Sequence, residues 1–342
     1  MDLEVLFLGT AGSAPTARRG LPALLVRRGG ERLLFDCGEG TQRQLLRSSG
    51  LVDLEDVFLT HFHADHFLGL PGMLKTFALR GREAPLTVHG PPGLRRLFDA
   101  LRVVVGRTPF ELRLVELEPA EPLRRDGYAI APFAVDHRTR AYGYALVEDE
   151  RPGRFDEHRA RELGVAPGPD FGRLHGGESV PGAHGEVRSE QVVGATRPGR
   201  KVVITGDTAP CQATEVVAHG ADLLVHEATF AQDEAERAAD TGHTTARAAA
   251  ELAARAEVAM LALTHISPRY AGRELRDEAR EAFPGTVVPR DLDRIEVPFP
   301  ERGVPVLVRG DDRRSPASSP ASPAPEEAGS EQAGRPAAVL PR

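Results

Sequence analysis

Residues 60–66 read Thr-His-Phe-His-Ala-Asp-His and follow a short apolar run directly. Neutral imidazoles and carboxylate oxygens bind Zn²⁺ at about 2.0–2.2 Å. In an extended chain His61 and His63 point to the same side, so both can bind one ion. Asp65 and His66 begin a turn into the next helix and can contact a second ion nearby. This stretch therefore predicts two adjacent metal sites at the end of a strand.

Six residues cannot complete two zinc sites, so further ligands must come from other strand ends. His137 follows a strand-like segment at 130–135, and His265 follows another at 260–264. Asp207 is placed well to bridge two ions, because a carboxylate offers two oxygens. Taken alone, Asp207 also fits a helix cap. Together with the first motif, these side chains complete a set of seven ligands.

Short Leu- and Val-rich segments alternate with helical patterns, which is typical of an α/β fold. The predicted strands are 3–8, 33–36, 57–60, 202–205, 223–225 and 260–264; the predicted helices are 41–47, 91–102, 244–256 and 272–283. Thr244 or Thr245 is the expected cap of the third helix. Several strands end in a polar residue, so we expect their side chains to meet at one rim of a sheet.

The composition is that of an ordinary globular protein of 342 residues, with 41% apolar and 27% charged residues. The net charge of −7 argues against a protein that coats nucleic acid by charge alone, although a local cationic surface remains open. Two cysteines, Cys37 and Cys211, favour a reducing compartment. The chain begins without a signal-peptide pattern and has no apolar run of 18 residues, so a cytoplasmic protein without a membrane span is expected.

Two segments depart from the strand–helix alternation. Residues 310–342 are rich in Pro, Ala, Ser and Glu, which predicts a disordered tail after a catalytic domain at 1–309. Residues 148–190 are charged and rich in Gly and Pro, with a short helix predicted at 155–163. This insertion is either a long surface loop or an arm with a task of its own, since loops of that length usually have a function.

The order of these motifs resembles the metallo-β-lactamase superfamily, and within it the tRNA 3′-processing endonucleases of the ribonuclease Z family, in their short form. The similarity spans about residues 3–300. It includes the motifs FLGT at 7–10, FDCGE at 35–39, GLPG at 69–72, YGY at 142–144, HEATF at 226–230, GHTT at 242–245 and THIS at 264–267.

The resemblance implies an αββα sandwich of two mixed sheets flanked by helices, with an inserted flexible arm. It implies two Zn²⁺ per subunit, the first bound by His61, His63 and His137, the second by Asp65, His66 and His265, with Asp207 as the bridge. The arm at 148–190, with Gly168, Pro169 and Arg173 as substrate-binding residues, would grip precursor tRNA. The family also implies a homodimer.

We expect hydrolysis of an RNA phosphodiester that leaves a 3′-hydroxyl on the tRNA and a 5′-phosphate on the trailer. Asp65 would orient or deprotonate the attacking water as well as bind metal. His243 is the candidate general acid for the leaving oxygen. Glu227 either keeps that imidazole protonated or has only a supporting, capping role.

Two other functions fit parts of the sequence. A hydrolase of small phosphodiesters or sulfate esters would have the same metal site but no need of the insertion at 148–190. A non-catalytic RNA-binding module on a degenerate hydrolase fold would have lost ligands, whereas all seven positions here carry ligand-type residues. Within the arm, Arg173 and His175 stand where the family usually has Lys, and a neutral His binds phosphate more weakly.

Overall fold

The computed structural model describes residues 1–51, 54–119 and 121–310. The predicted tail lies outside these residues except for Gly310, whose N–H donates to Asp293 Oδ1 at 3.0 Å. Gly310 therefore belongs to the folded part of the chain. None of the helices in the described residues is long and apolar enough to cross a membrane.

Seventeen strands, counted over the described ranges, form two large sheets and one small hairpin. In chain order they are β1 (Leu3–Gly9), β2 (Ala23–Arg28), β3 (Glu31–Phe35), β4 (Asp56–Phe58), β5 (Leu86–Gly90), β6 (Leu112–Glu116), β7 (Leu123–Arg125), β8 (Tyr128–Ala134), β9 (Tyr142–Glu148), β10 (Val180–Gly182), β11 (Gly185–Val187), β12 (Lys201–Ile204), β13 (Leu223–Glu227), β14 (Met260–Thr264), β15 (Thr286–Val287), β16 (Arg294–Glu296) and β17 (Val306–Val308).

Both large sheets are mixed. The first has the order β17-β16-β1-β2-β3-β4-β5-β6, parallel from β3 to β6 and antiparallel elsewhere. The second has the order β15-β14-β13-β12-β9-β8-β7, parallel from β12 to β15. The carboxyl ends of parallel strands lie at one edge of a sheet, so the loops after β4, β12, β13 and β14 are brought to the same rim.

Helices cover the outer faces of both sheets. In chain order, the helices of the described residues are α1 (Thr41–Ser48), α2 (Ala64–Phe67), α3 (Gly69–Leu79), α4 (Leu94–Val105), α5 (Glu157–Glu162), α6 (Pro169–His175), α7 (Gln212–Ala218), α8 (Ala235–Thr241), α9 (Ala246–Arg255) and α10 (Gly272–Ala282). α1, α3 and α4 share a core with the first sheet, and α7, α9 and α10 share one with the second.

The sequence of β1 is apolar at nearly every position because the strand is buried on both faces. Leu3, Val5 and Phe7 lie in the core between the two sheets. Leu6 and Leu8, on the opposite face, lie in the core under the helices. Side chains alternate along a strand, so a strand buried on both faces must be apolar on both. This layered arrangement confirms the predicted αββα sandwich.

The predicted helix boundaries differ most at α4, which runs from Leu94 to Val105 rather than over 91–102. Glu116 Oε1 accepts hydrogen bonds from the N–H groups of Gly93 and Arg95 and thereby caps the helix from a neighbouring strand. Such a tertiary cap leaves no local signal. The predicted cap of α9 is Thr245, whose hydroxyl accepts from Ala248 N–H at 3.2 Å.

The insertion folds into α5, α6 and the β10–β11 hairpin around a small core of its own. Its base lies at a backbone bridge between Arg151 and Arg197, because β9 continues to Glu148. The insertion therefore ends later than residue 190. The predicted helix at 155–163 is α5, capped by Asp156, which accepts from Arg159 N–H at 2.9 Å.

Candidate metal centre

The loop after β4 delivers the first ligand-type side chains to the rim. His61 Nε2 lies 2.9 Å from His63 Nδ1, and His137 Nε2, from the loop after β8, lies 3.3 Å from the same atom. Asp207 Oδ2, from the loop after β12, lies 3.8 Å from His61 Nε2. These four side chains form a group of potential ligand atoms that all lie within 4.8 Å of one another.

A second group adjoins the first and shares Asp207 with it. Asp65 Oδ2 lies 3.6 Å from His66 Nε2 and 3.4 Å from His265 Nε2. Asp207 Oδ1 lies 3.3 Å from His66, and its Oδ2 lies 3.3 Å from His265. The two oxygens of one carboxylate therefore face both groups. All seven predicted ligands meet at one rim, in the two sets that the resemblance implied.

The geometry fits a pair of divalent cations. His66 Nε2 and Asp207 Oδ1 are buried and have no hydrogen-bond partner among the described residues. Two ligand atoms of one tetrahedral ion at about 2.0–2.1 Å are separated by about 3.3–3.4 Å. The 3.3 Å between these two atoms matches that spacing. Imidazole nitrogens and carboxylate oxygens suit Zn²⁺ and several other divalent metals.

The other ring nitrogen of each buried histidine is held by an acceptor, which fixes the tautomer. His66 Nδ1 donates to Asp36 Oδ2 at 2.7 Å, and His137 Nδ1 donates to the Gly242 carbonyl at 2.8 Å. A carboxylate or carbonyl only accepts, so Nδ1 carries the proton and Nε2 keeps its lone pair for a metal.

Two threonine hydroxyls also fix histidine tautomers, because each accepts from a ring nitrogen and donates to a carboxylate. Thr60 Oγ1 donates to Asp36 and so accepts from His61 Nδ1 at 3.0 Å. Thr229 Oγ1 donates to Glu227 Oε2 at 2.7 Å and accepts from His265 Nδ1 at 2.8 Å. The sequence motifs include Asp36 and Thr229, but their orienting role was missed. It depends on contacts between residues far apart in the chain.

The backbone around the centre is tightly packed. Gly206 has φ of +64°, and a Cβ there would lie 2.7 Å from Thr60 Cβ. Asp36 also lies in the left-handed region, with φ of +56°. Its carboxylate accepts from the backbone N–H of Thr60 at 2.8 Å, which offsets the strain of that conformation.

Glu227 and His243 form a buried pair beside the ligands. His243 Nδ1 donates to Glu227 Oε1 at 2.7 Å. Burial disfavours the imidazolium, but the hydrogen bond and charge of Glu227 outweigh it and raise the pKa of His243 to about 9. Burial also opposes ionisation of Glu227, yet His243 holds the pKa of that carboxyl below its usual value. The pair therefore favours an ionised carboxylate and a protonated imidazole.

The surrounding protein groups, without a metal ion, shift the pKa values of the ligand-type residues in different directions. Burial and the neighbouring His66 hold the pKa of His61 well below its usual range. Burial opposes ionisation of Asp207, but His265 and His66 outweigh it and lower the pKa of that carboxyl strongly. His66 is also buried, yet Asp207 and Asp36 raise its pKa. Asp207 is thus a carboxylate at any physiological pH, as a metal ligand must be, whereas a metal that binds His66 Nε2 must displace the proton that the raised pKa keeps there.

A groove of about 830 Å³ lies between the 16–19 loop and the segment after His265. Six arginines line it: Arg18, Arg19, Arg273, Arg276, Arg290 and Arg309. Arg19, Arg276 and Arg309 bind neighbouring protein groups. Within the described residues, the guanidinium groups of Arg18, Arg273 and Arg290 have no ion pair. The groove is a cationic surface on a chain of net negative charge, a possibility that the composition did not exclude.

The predicted substrate-binding residues of the arm lie apart from this centre. Gly168 precedes α6, and Pro169 is its first residue. Arg173 pairs with Glu178 at 3.0 Å and with Asp170 at 3.2 Å. His175 contacts the Gly153 carbonyl at the base of the arm. Both of these ion pairs are exposed and therefore weak, so the role of Arg173 as a phosphate contact stays a prediction.

Comparison with known proteins agrees with the motifs. The metallo-beta-lactamase superfamily profile matches residues 19–265. A ribonuclease Z of Halorubrum lacusprofundi is 51% identical over 307 residues, which are 88% of this chain and 99% of that protein. The chain belongs to the ribonuclease Z family.

A second ribonuclease Z and a solved structure are similar to this chain over nearly their whole length. A ribonuclease Z of Gemmatimonas aurantiaca is 50% identical over 307 residues, which are 88% of this chain and 98% of that protein. The crystal structure of the short form of human tRNase Z has a TM-score of 0.63 and 26% identity, over 86% of this chain and 99% of that one. The family and fold predicted from the motifs are confirmed.

Proposed function

We propose that this chain is a metal-dependent endoribonuclease that removes the 3′ trailer from precursor tRNA. The observation that carries the proposal is the meeting of seven ligand-type side chains in two groups that share Asp207. Membership of the ribonuclease Z family supports the same reaction class, since its members named above are ribonucleases Z. The products would be a tRNA with a 3′-hydroxyl and a trailer with a 5′-phosphate.

The metal would be Zn²⁺, two ions per subunit. His61, His63 and His137 would hold one ion, Asp65, His66 and His265 the other, and Asp207 would bridge them. When bound, the ions supply a nucleophile at neutral pH and neutralise charge on the phosphoryl oxygens. Asp65 would also help to orient the attacking water. Its carboxylate accepts the Ser13 N–H at 3.0 Å, which limits the ways it can turn.

His243 would be the general acid that protonates the leaving 3′-oxygen. Its Nδ1 is held by Glu227, so Nε2 is the nitrogen from which the proton leaves. The imidazole lies at the edge of the centre, with ring centroids 5.2 Å from His137 and 5.4 Å from His265. Glu227 would keep the ring protonated and oriented, which favours the first of its two predicted roles.

Two features support RNA over a small ester as the substrate. The arginine-lined groove offers the guanidinium groups of Arg18, Arg273 and Arg290, which have no ion pair within the described residues, to phosphates. The arm at 151–197, with its own core, would grip the body of the tRNA, as predicted for Gly168, Pro169 and Arg173. A homodimer, which the family resemblance implies, and a cytoplasmic location, which the sequence predicts, are parts of the same proposal.

The test is incubation of metal-loaded protein with a precursor tRNA that carries a trailer, followed by sequencing of both products. A cut directly after the discriminator position or the CCA end supports the proposal, and an uncut precursor contradicts it.

Deletion of the arm distinguishes this function from the alternative, a hydrolase of small phosphodiesters or sulfate esters. That deletion should abolish tRNA cleavage and spare hydrolysis of bis(p-nitrophenyl) phosphate. If the intact chain hydrolyses only the small ester, the alternative is correct.

A further inference from the structure

The base of the arm is a narrow stem of two chain segments. Arg151 N–H donates to the Arg197 carbonyl at 2.8 Å, and Arg197 N–H donates back at 2.9 Å. A Cβ at Gly153 would lie 2.0 Å from the Gly194 carbonyl oxygen, so the two segments touch through their backbones. The arm has its own core, so a rotation of this stem would move the arm as one unit.

Glu301 joins both segments of the stem to the catalytic domain. Its carboxylate accepts two hydrogen bonds from the Arg151 guanidinium, at 2.9 and 3.0 Å, and one from Arg197 at 3.1 Å. Glu301 lies in the turn Pro300–Arg302, just before β17, which pairs with β16 in the first sheet. Charge-assisted, bidentate contacts of this kind fix the relative orientation of the carboxylate and the guanidinium as well as the distance between them.

Phe299 links the same stem to a buried ion pair. The Arg151 guanidinium lies 3.5 Å from the centroid of the Phe299 ring, and that of Arg200 lies 4.1 Å from it. Arg200 is buried and binds Glu148 Oε2 at 2.7 Å and the Val297 carbonyl at 3.0 Å. The ring therefore packs between Arg151 of the stem and Arg200, which is tied to Glu148 of β9 in the second sheet.

We propose that Phe299 and Glu301 form a brace that sets the direction in which the arm leaves the catalytic domain. Both are positioning residues for precursor tRNA, and they act through the stem rather than by touching the RNA. This inference rests on the proposed role of the arm in gripping tRNA. Because the brace lies at the base, a loosened contact displaces every substrate contact farther along the arm while the metal centre stays as it is.

The test compares Glu301→Gln with Glu215→Gln, a control that removes a single ion pair, between Glu215 on α7 and Arg255 on α9. We expect Glu301→Gln to raise KM for precursor tRNA by about threefold to tenfold, since it removes a small network of charged contacts. The kcat for tRNA and the hydrolysis of bis(p-nitrophenyl) phosphate should not change. Phe299→Leu, which keeps apolar bulk, should have the same pattern, and Glu215→Gln should match the parent.

A double variant distinguishes a positioning role of Glu301 from a general effect on the stability of the fold. Arg151→Gln and Glu301→Gln remove the same contact, so their effects on KM should be less than additive. An unchanged KM in Glu301→Gln overturns the brace. So does a loss of both activities together with a lower Tm, because the residue would then be structural. If the parent protein fails to cut precursor tRNA at all, the proposed function fails instead.

Discussion

The imidazole Nδ1 of His243 lies 2.7 Å from Glu227 Oε1, and the second oxygen of the same carboxylate accepts from Thr229 at 2.7 Å. Thr229 in turn orients His265, one of the seven ligand-type residues. One buried carboxylate therefore holds both the proposed acid and a metal-binding side chain. This connection explains why the HEATF motif at 226–230 and the GHTT motif at 242–245 occur together.

His243→Ala should lower kcat for precursor tRNA by about 10²–10⁴-fold, because the leaving oxygen loses its proton donor. The metal content should stay at that of the parent protein, since His243 is proposed as an acid and not as a ligand. Elemental analysis beside single-turnover kinetics checks both points. His243 also lies within reach of Asp207 and His265. A loss of one metal equivalent would therefore make it a ligand and remove it as the acid.

Glu227→Gln should shift the high-pH limb of kcat to lower pH. In the parent, Glu227 outweighs burial and raises the pKa of His243 to about 9, so the acid form persists up to that pH and is lost above it. A neutral amide still accepts a hydrogen bond but no longer stabilises the imidazolium, so the proton is lost earlier. Glu236→Gln, on exposed α8, is the control. An unshifted limb would show that another group carries the proton.

Asp36→Asn should weaken metal binding by about 10–100-fold, a typical effect of removing a residue that orients a ligand. The carboxylate fixes the tautomer of His66 through Nδ1 and accepts from the Thr60 N–H and hydroxyl. Competition with a chelator measures the affinity. Replacement of the exposed His158 by Ala, on α5, serves as the control. Equal affinity in Asp36→Asn and the parent would mean that the ring of His66 is oriented without Asp36.

The sequence predicted which ligand-type side chains come together, because four of them lie within six residues and the rest follow strand ends. It did not predict the role of Asp36, which depends on a left-handed backbone conformation and a contact with His66. Nor did it predict the groove, because Arg18, Arg273 and Arg290 are ordinary surface arginines until the fold gathers them. The start of α4 was misplaced since its cap, Glu116, comes from another strand. Local patterns thus located the chemistry, whereas non-local contacts set its geometry.

Glu148→Gln should destabilise the fold by about 3–5 kcal/mol, because it leaves the buried guanidinium of Arg200 without a charge partner and leaves Arg28 with only its longer pair to Glu31 at 3.3 Å. Glu148 binds Arg200 at 2.7 Å and Arg28 at 2.8 Å. Burial opposes its ionisation, but Arg200 outweighs it and lowers the pKa of Glu148. Urea unfolding at several pH values measures the effect, with Glu296→Gln at an exposed pair as the control.

The contribution of Glu148 to the free energy of unfolding should be lost at low pH. The folded-state pKa of Glu148 is lowered, so its contribution is complete above the unfolded-state pKa of about 4.3 and declines as the pH falls through the folded-state value. The free energy of unfolding should therefore fall less steeply below pH 4.3 in Glu148→Gln than in the parent. Parallel curves would show that the ion pair does not contribute to acid unfolding.

Arg273→Gln and Arg290→Gln should weaken precursor-tRNA binding and flatten its salt dependence. Each guanidinium that contacts a phosphate adds roughly 0.7–0.9 to the slope of log affinity against log salt, so each variant should lose about that amount. Filter binding at several salt concentrations measures it. Arg276→Gln is the matched control, because Arg276 lines the same groove but already pairs with Asp277 at 2.6 Å. If all three variants keep the parental slope, the RNA follows a path that avoids the groove, and the preference for RNA over a small ester rests on the arm alone.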